Sequence, residues 1–96
     1  MATYIILSNF TDQGIRNIKD SPERLGAFSK MSEKLGVTVK TAYYTVGNYD
    51  IVTVVEGSEE SVTSMLLKLG SLGNVRTSTL RAFSAEEMKT IITKMP

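Results

Sequence analysis

The stretch Thr45-Val46-Gly47-Asn48-Tyr49-Asp50-Ile51-Val52 describes a strand that ends, turns and starts back. Gly47 and Asn48 both tolerate the positive φ that two-residue hairpin turns demand. The flanks, Val37 to Val46 and Asp50 to Glu56, are rich in β-branched and aromatic residues. A turn on Gly47-Asn48 pairs Val46 with Tyr49, Thr45 with Asp50, Tyr44 with Ile51 and Tyr43 with Val52. Cross-strand partners share a face. One face then carries Ala42, Tyr44, Val46, Tyr49, Ile51, Thr53 and Val55, and the other Val39, Thr41, Tyr43, Thr45, Asp50, Val52 and Val54. Neither is a water-facing pattern, and the pattern does not say which of the two sits under helices.

Upstream, Thr3 to Phe10 is apolar on both sides, with Ile5 and Leu7 against Tyr4, Ile6 and Phe10, as in a central strand covered on two faces. Thr11-Asp12-Gln13-Gly14 breaks it, with Thr11 or Asp12 placed to cap a short helical turn carrying Ile15 and Ile18. Ser21-Pro22-Glu23 opens a helix, Ser21 as cap and Pro22 in the first helical position. Leu25, Phe28, Ser32 and Leu35 follow one side of it, Met31 stands beside them, and Gly36 ends it in a left-handed cap.

Downstream, Ser58 caps a second helix whose apolar stripe is Val62, Met65, Leu66 and Leu69, with Gly70 and Gly73 at its end. Asn74 to Phe83 alternates as a half-polar edge strand. Ser84-Ala85-Glu86-Glu87 is a capping box, and it starts a last helix with Met88, Ile91, Ile92 and Met95 on one side. The order βαββαβ with right-handed crossovers predicts an α+β, ferredoxin-like antiparallel sheet with both main helices on one face and an extra C-terminal helix. The other sheet face is too apolar to stand bare, so a second copy is expected to cover it, giving a homodimer or a multiple of dimers.

Composition narrows the chemistry further. The 96 residues make one domain, 1–96, and a net charge of +1 with no basic run predicts no nucleic-acid or membrane partner. Cysteine and histidine are both absent. That removes disulfides, thiolate nucleophiles, Cys/His zinc sites, histidine-ligated haem and the usual general base near neutral pH. No metal and no cofactor is expected. The N-terminus shows no signal peptide and no apolar run reaches the roughly 20 residues of a membrane span, so the expected location is the cytoplasm.

Five residues are candidates for a site beneath the helices or at a subunit interface. Asp50, at the start of an interior strand, is either a general base or a carboxylate that holds turn amides. Tyr43 shares its face and either orients a substrate or fills an interface. Arg76 and Arg81, on opposite faces of the last strand, suit a carboxylate ligand or a pairing with Asp50, and serve equally as edge-strand solubility residues. Asn9 closes an apolar strand where pockets are often lined. A small polar or carboxylate ligand fits this set.

Gly47-Asn48-Tyr49-Asp50 also resembles the G-x-Y-D signature of the GYD-domain family. The similarity extends to Thr11 through Ile15, to Ser21 through Arg24, to Gly73 through Thr77 and to Leu80 through Phe83, in family order and spacing. Gly36-Val37 departs from it, where a second small residue is expected. The resemblance implies the dimeric α/β-barrel architecture and supplies no activity. Three functions stay open: a homo-oligomeric small-molecule-binding module, a cofactor-free isomerase or monooxygenase with Asp50 as base, and a purely structural oligomer.

Overall fold

The computed structural model describes residues 1–96. Its elements are β1 (Ala2–Phe10), α1 (Asp12–Arg16), a 3₁₀ turn (Ile18–Asp20), α2 (Ser21–Lys34), β2 (Thr38–Tyr44), β3 (Ile51–Gly57), α3 (Glu59–Ser71), β4 (Val75–Ala82) and α4 (Ala85–Thr93). The sheet order is β2-β3-β1-β4 and every neighbouring pair is antiparallel. This is the ferredoxin-like α+β fold, with β1 central and β4 at an edge.

The covered face is now decided. Tyr4, Ile6, Ser8 and Phe10 of β1 alternate onto one face, where Tyr4, Ile6 and Ser8 stand in register with Val55, Thr53 and Ile51 of β3, and Ile6, Thr53 and Val55 are all buried. Helices α2 and α3 lie over this face. Phe28, Val62 and Met65 close the core with Ile6, Val37 and Val55, and Leu25, Met31, Leu35, Leu66 and Leu69 pack around it. Ser32, fully buried in this packing, donates to Phe28 O at 2.7 Å or to Met65 Sδ at 3.1 Å. Six fully or nearly buried apolar side chains, each contributing about 1.5–3 kcal/mol, are a thin core for a chain of this length.

The hairpin keeps the expected pairing of Tyr44 with Ile51 and Tyr43 with Val52, and Thr45 N–H reaches Asp50 O at 2.8 Å. The turn itself differs from expectation. Gly47 has φ of 140°, Asn48 does not take positive φ, and no backbone hydrogen bond joins Val46 to Tyr49, so the loop is not the two-residue primed turn. Instead Thr45 Oγ1 donates to Tyr49 O, closing a wider loop that leaves Val46 fully exposed. A second correction is a bulge between Val39 and Thr41, which pairs Val39 with Val55 and turns it to the core. Strict alternation had placed Val39 on the other face; one extra residue reverses the sidedness of everything beyond it.

Caps follow the sequence with one exception. Thr11, Ser58 and Ser84 each accept from the backbone N–H three residues on, and Gly36 takes φ of 81° after α2. Ser21 does not cap α2. It forms the first residue of the helix, buried, with its hydroxyl 2.9 Å from Tyr44 Oη.

The face opposite the helices carries Ile5, Leu7, Val52, Val54 and Leu80. Four strands at about 4.8 Å and seven paired residues at about 3.4 Å give this face roughly 19 by 24 Å. α4 buries no residue, and its Met88, Ile91 and Ile92, with Met95 just beyond it, are 40–68% exposed. The molecule measures 51 × 31 × 18 Å, with a radius of gyration of 14.6 Å, against about 12.5 Å for a compact chain of this length.

Candidate functional site

Asp50 is used three times over. Its N–H donates to Ser8 O at 2.9 Å and its carbonyl accepts from Thr45. Its Oδ2 accepts from Phe10 N–H at 2.8 Å. Phe10 lies past the last β1–β3 pair, Ser8↔Ile51, so the carboxylate takes over where the ladder stops. The side chain and backbone of this one residue tie together the ends of β1, β2 and β3.

Asn9 pairs with Arg76 across β1 and β4, on the open face and exposed to solvent. Asp50 continues the same row on β3. Tyr43 stands beside Val52 and is 63% exposed. Arg81 is on the other face, paired with Tyr4. Its guanidinium sits 4.3 Å from the Phe83 ring centroid and 5.6 Å from that of Tyr4, and it donates to Thr3 O at 3.2 Å and to Ala82 O. Asn9, Tyr43, Asp50 and Arg76 therefore gather along the open sheet face, and Arg81 is separated from them by the sheet. Neither arginine forms an ion pair with Asp50.

The apolar cavity beneath the helices is elsewhere. A cavity of about 390 Å³ lies between α2, α3 and the sheet. Leu25, Phe28 and Met31 wall one side, Leu69 and Leu72 the other, and Ile6, Phe10, Ile51 and Val75 the floor. Ser8 and Thr53 interrupt that floor, each 4% exposed. Neither hydroxyl bonds to another protein group, yet no fully covered side-chain polar atom lacks a partner; their remaining surface is the surface they show the cavity. Ser21, Arg24, Ala27, Lys68 and Asn74 complete the lining. Arg24 and Asn74 also border an outer recess with Asn17, Asp20 and Glu23, which places them at the mouth.

The loop beside the mouth is stitched closely. Thr11 N–H donates to Asn74 O at 3.0 Å, Thr11 Oγ1 to Gly73 O at 2.6 Å, and Gln13 Nε2 to Leu72 O or Asn74 Oδ1, each at 3.0 Å. Gly14 is buried where a Cβ would stand 1.9 Å from Asn74 O, so only glycine permits this approach. Arg24 donates to Asn17 O at 2.8 Å and more weakly to Gly14 O at 3.4 Å. It has no carboxylate partner; the two ion pairs in the chain are Lys40–Glu56 and Lys89–Glu86.

None of the five candidate site residues, Asn9, Tyr43, Asp50, Arg76 and Arg81, lines this cavity. Its polar residues carried one signal in the chain: Ser8 and Thr53 are small hydroxyls at positions where a core face calls for an apolar side chain. No group of three or more acidic side chains is placed to hold a metal ion, and no helix is long and apolar enough to cross a membrane.

A ferredoxin-like sheet with one helix-covered face, an apolar cavity beneath the helices and an uncovered second face defines a small α+β domain. The chain belongs to the GYD-domain family, whose model matches residues 4–92. It is 37% identical over 90 residues to a protein of Thermus thermophilus named glutamine synthetase and cystathionine beta-lyase binding protein, covering 92% of this chain and 95% of that one. Among solved structures it resembles that of TTHA0845, also from Thermus thermophilus, with a TM-score of 0.54 and 26% identity over 88% of this chain and 96% of that one. The crystal structure of FFRP-DM1 shares the fold, with a TM-score of 0.62 at 24% identity over 86% of this chain and the whole of the other.

Proposed function

We propose that this protein is a homo-oligomeric binding module that holds a small molecule between its helices and its sheet. The observation that carries the proposal is the cavity of about 390 Å³ with two unpaired hydroxyls on its floor. A chain with so thin a core gains from filling such a space, and a larger apolar residue at Ser8 would do so; keeping polar groups there is a cost to stability that a ligand offsets. The open face supports self-association. Its footprint, about 450 Å² from the strand spacing, is more than half of the roughly 800 Å² per partner that stable dimers bury, the apolar stripe of α4 adds to it, and two copies related by a two-fold axis would cover both open faces at once.

The test is native mass spectrometry of freshly purified protein. A reproducible small-molecule adduct is expected at the mass of the oligomer, and Ser8→Phe, which fills the floor, should abolish the adduct without unfolding the chain. Clean apo-oligomer across preparations would overturn ligand binding. Light scattering should give a dimer or a multiple of it, and a strict monomer at micromolar concentration would overturn the assembly.

A second function is favoured by the name of the Thermus relative, a protein that binds two enzymes. On that view the exposed hairpin loop and Tyr43, Val46 and Leu80 dock on an enzyme subunit, and co-purification would detect it. An isomerase or monooxygenase based on Asp50 has less support, because the carboxylate is engaged by Phe10 N–H and borders no enclosed space.

A further inference from the structure

We infer that the cavity takes a monoanionic amphiphile: a carboxylic acid with an aromatic or branched apolar body and a hydroxyl or carbonyl at its far end. The inference rests on the binding function proposed above and names the class of ligand. Three features of the cavity set that class. Its size is the first. At about 30 Å³ for each water-sized group, 390 Å³ accommodates roughly a dozen non-hydrogen atoms. That suits a single ring with a short chain held within the cavity.

The second is the distribution of polarity. Phe28, Met31, Leu69 and Val75 present only carbon or sulfur to the interior, so the body of the ligand is apolar. Ser8 and Thr53 offer hydroxyls that are almost wholly buried and unpaired. Each can donate or accept, so they select one neutral oxygen-bearing group at the inner end and do not require a charge there.

The third is the mouth. Arg24 spends two of its N–H groups on backbone carbonyls, which hold the guanidinium in place and leave three donors unused. It has no carboxylate partner, although Asp20 and Glu23 border the outer recess it shares. Lys68 adds a second cation to the cavity lining. Two cations and no anion line the cavity itself, and a held guanidinium is suited to a carboxylate head.

Isothermal titration calorimetry with 4-phenylbutanoate and its neutral counterpart 4-phenylbutan-1-ol tests the class on the native oligomer. The acid should bind at least about tenfold more tightly than the alcohol, the margin of a charge-assisted contact. Arg24→Gln should bring the acid down to the alcohol's affinity and leave the alcohol unchanged. 4-(4-Hydroxyphenyl)butanoate should bind more tightly than 4-phenylbutanoate, and Thr53→Val with Ser8→Ala should erase that gain. Equal binding of acid and alcohol overturns the anionic class while leaving the cavity as a binding site. Binding of neither probe overturns both. Should Arg24→Gln fail to fold, Lys68→Gln and the wild-type preference for acid over alcohol decide the question.

Discussion

Replacing Asp50 with Ala removes the acceptor that sits 2.8 Å from Phe10 N–H. The backbone bonds of Asp50 to Ser8 and Thr45 survive the change, so the loss is confined to the carboxylate. A partly buried donor left unpaired costs about 1–3 kcal/mol. For a domain of this length that lowers Tm by about 4–8 °C per kcal/mol, or roughly 8–16 °C for a loss of about 2 kcal/mol. Asp50→Asn keeps an acceptor and gives up the charge, which about halves the bond; it should lower Tm by about 4–8 °C. Calorimetric melts at fixed protomer concentration measure both, because the melting of an oligomer depends on concentration. Hydrogen exchange at the Phe10 amide gives an independent readout, with protection falling in the order wild type, Asn, Ala. A melting temperature at or above wild type in either variant would refute the role of strut. Relief of that kind marks a carboxylate held under strain for function.

Gly14→Ala should lower stability by about 2–4 kcal/mol, read in urea melts, since its Cβ would lie 1.9 Å from Asn74 O and must push the start of β4 out of its bonds to Thr11 and Gln13. Met65 is fully buried, and Met65→Ala should cost about 2–5 kcal/mol in the same assay. Val54→Lys, on the open face, should leave the fold's circular dichroism intact and halve the mass of the proposed dimer in light scattering, because a charge there would be buried unpaired between the two copies. The Ser84 N–H that bonds Glu87, 2.9 Å from its Oε1, holds that carboxyl below its ordinary value, with the Ser84 hydroxyl and the charge of Arg81 adding to it. A depressed carboxyl stabilises the cap above its unfolded pKa and loses that contribution as pH falls through its folded one. Protection factors of the α4 amides, exchange rates corrected for the intrinsic pH dependence, should therefore fall on acidification below the carboxylate range, and Glu87→Gln should flatten the profile.

Much of the architecture was legible because it rests on short-range rules. Thr11, Ser58 and Ser84 cap where a side-chain oxygen can reach an amide three residues on. The stripe of Val62 and Met65 could only face inward. Ser21 shows where such rules stop: its hydroxyl had a local amide available, and Tyr44, distant in sequence, takes it instead. The bulge at Lys40 is similar, since the twist and packing of β2 against β3 decide it.

The sequence by itself determined the order and type of the elements, the α+β class and the hairpin pairing of Tyr44 with Ile51 and Tyr43 with Val52, because periodicity, caps and glycine positions act within a few residues. It also ruled out thiol, disulfide and imidazole chemistry by composition alone. Only the tertiary structure decided which sheet face the helices cover, that Asp50 spans the ends of three strands, and that the enclosed space is walled by Ser8, Thr53 and Arg24. Sidedness, strand-end closure and cavity shape each depend on residues far apart in the chain, and no local pattern encodes where those residues meet.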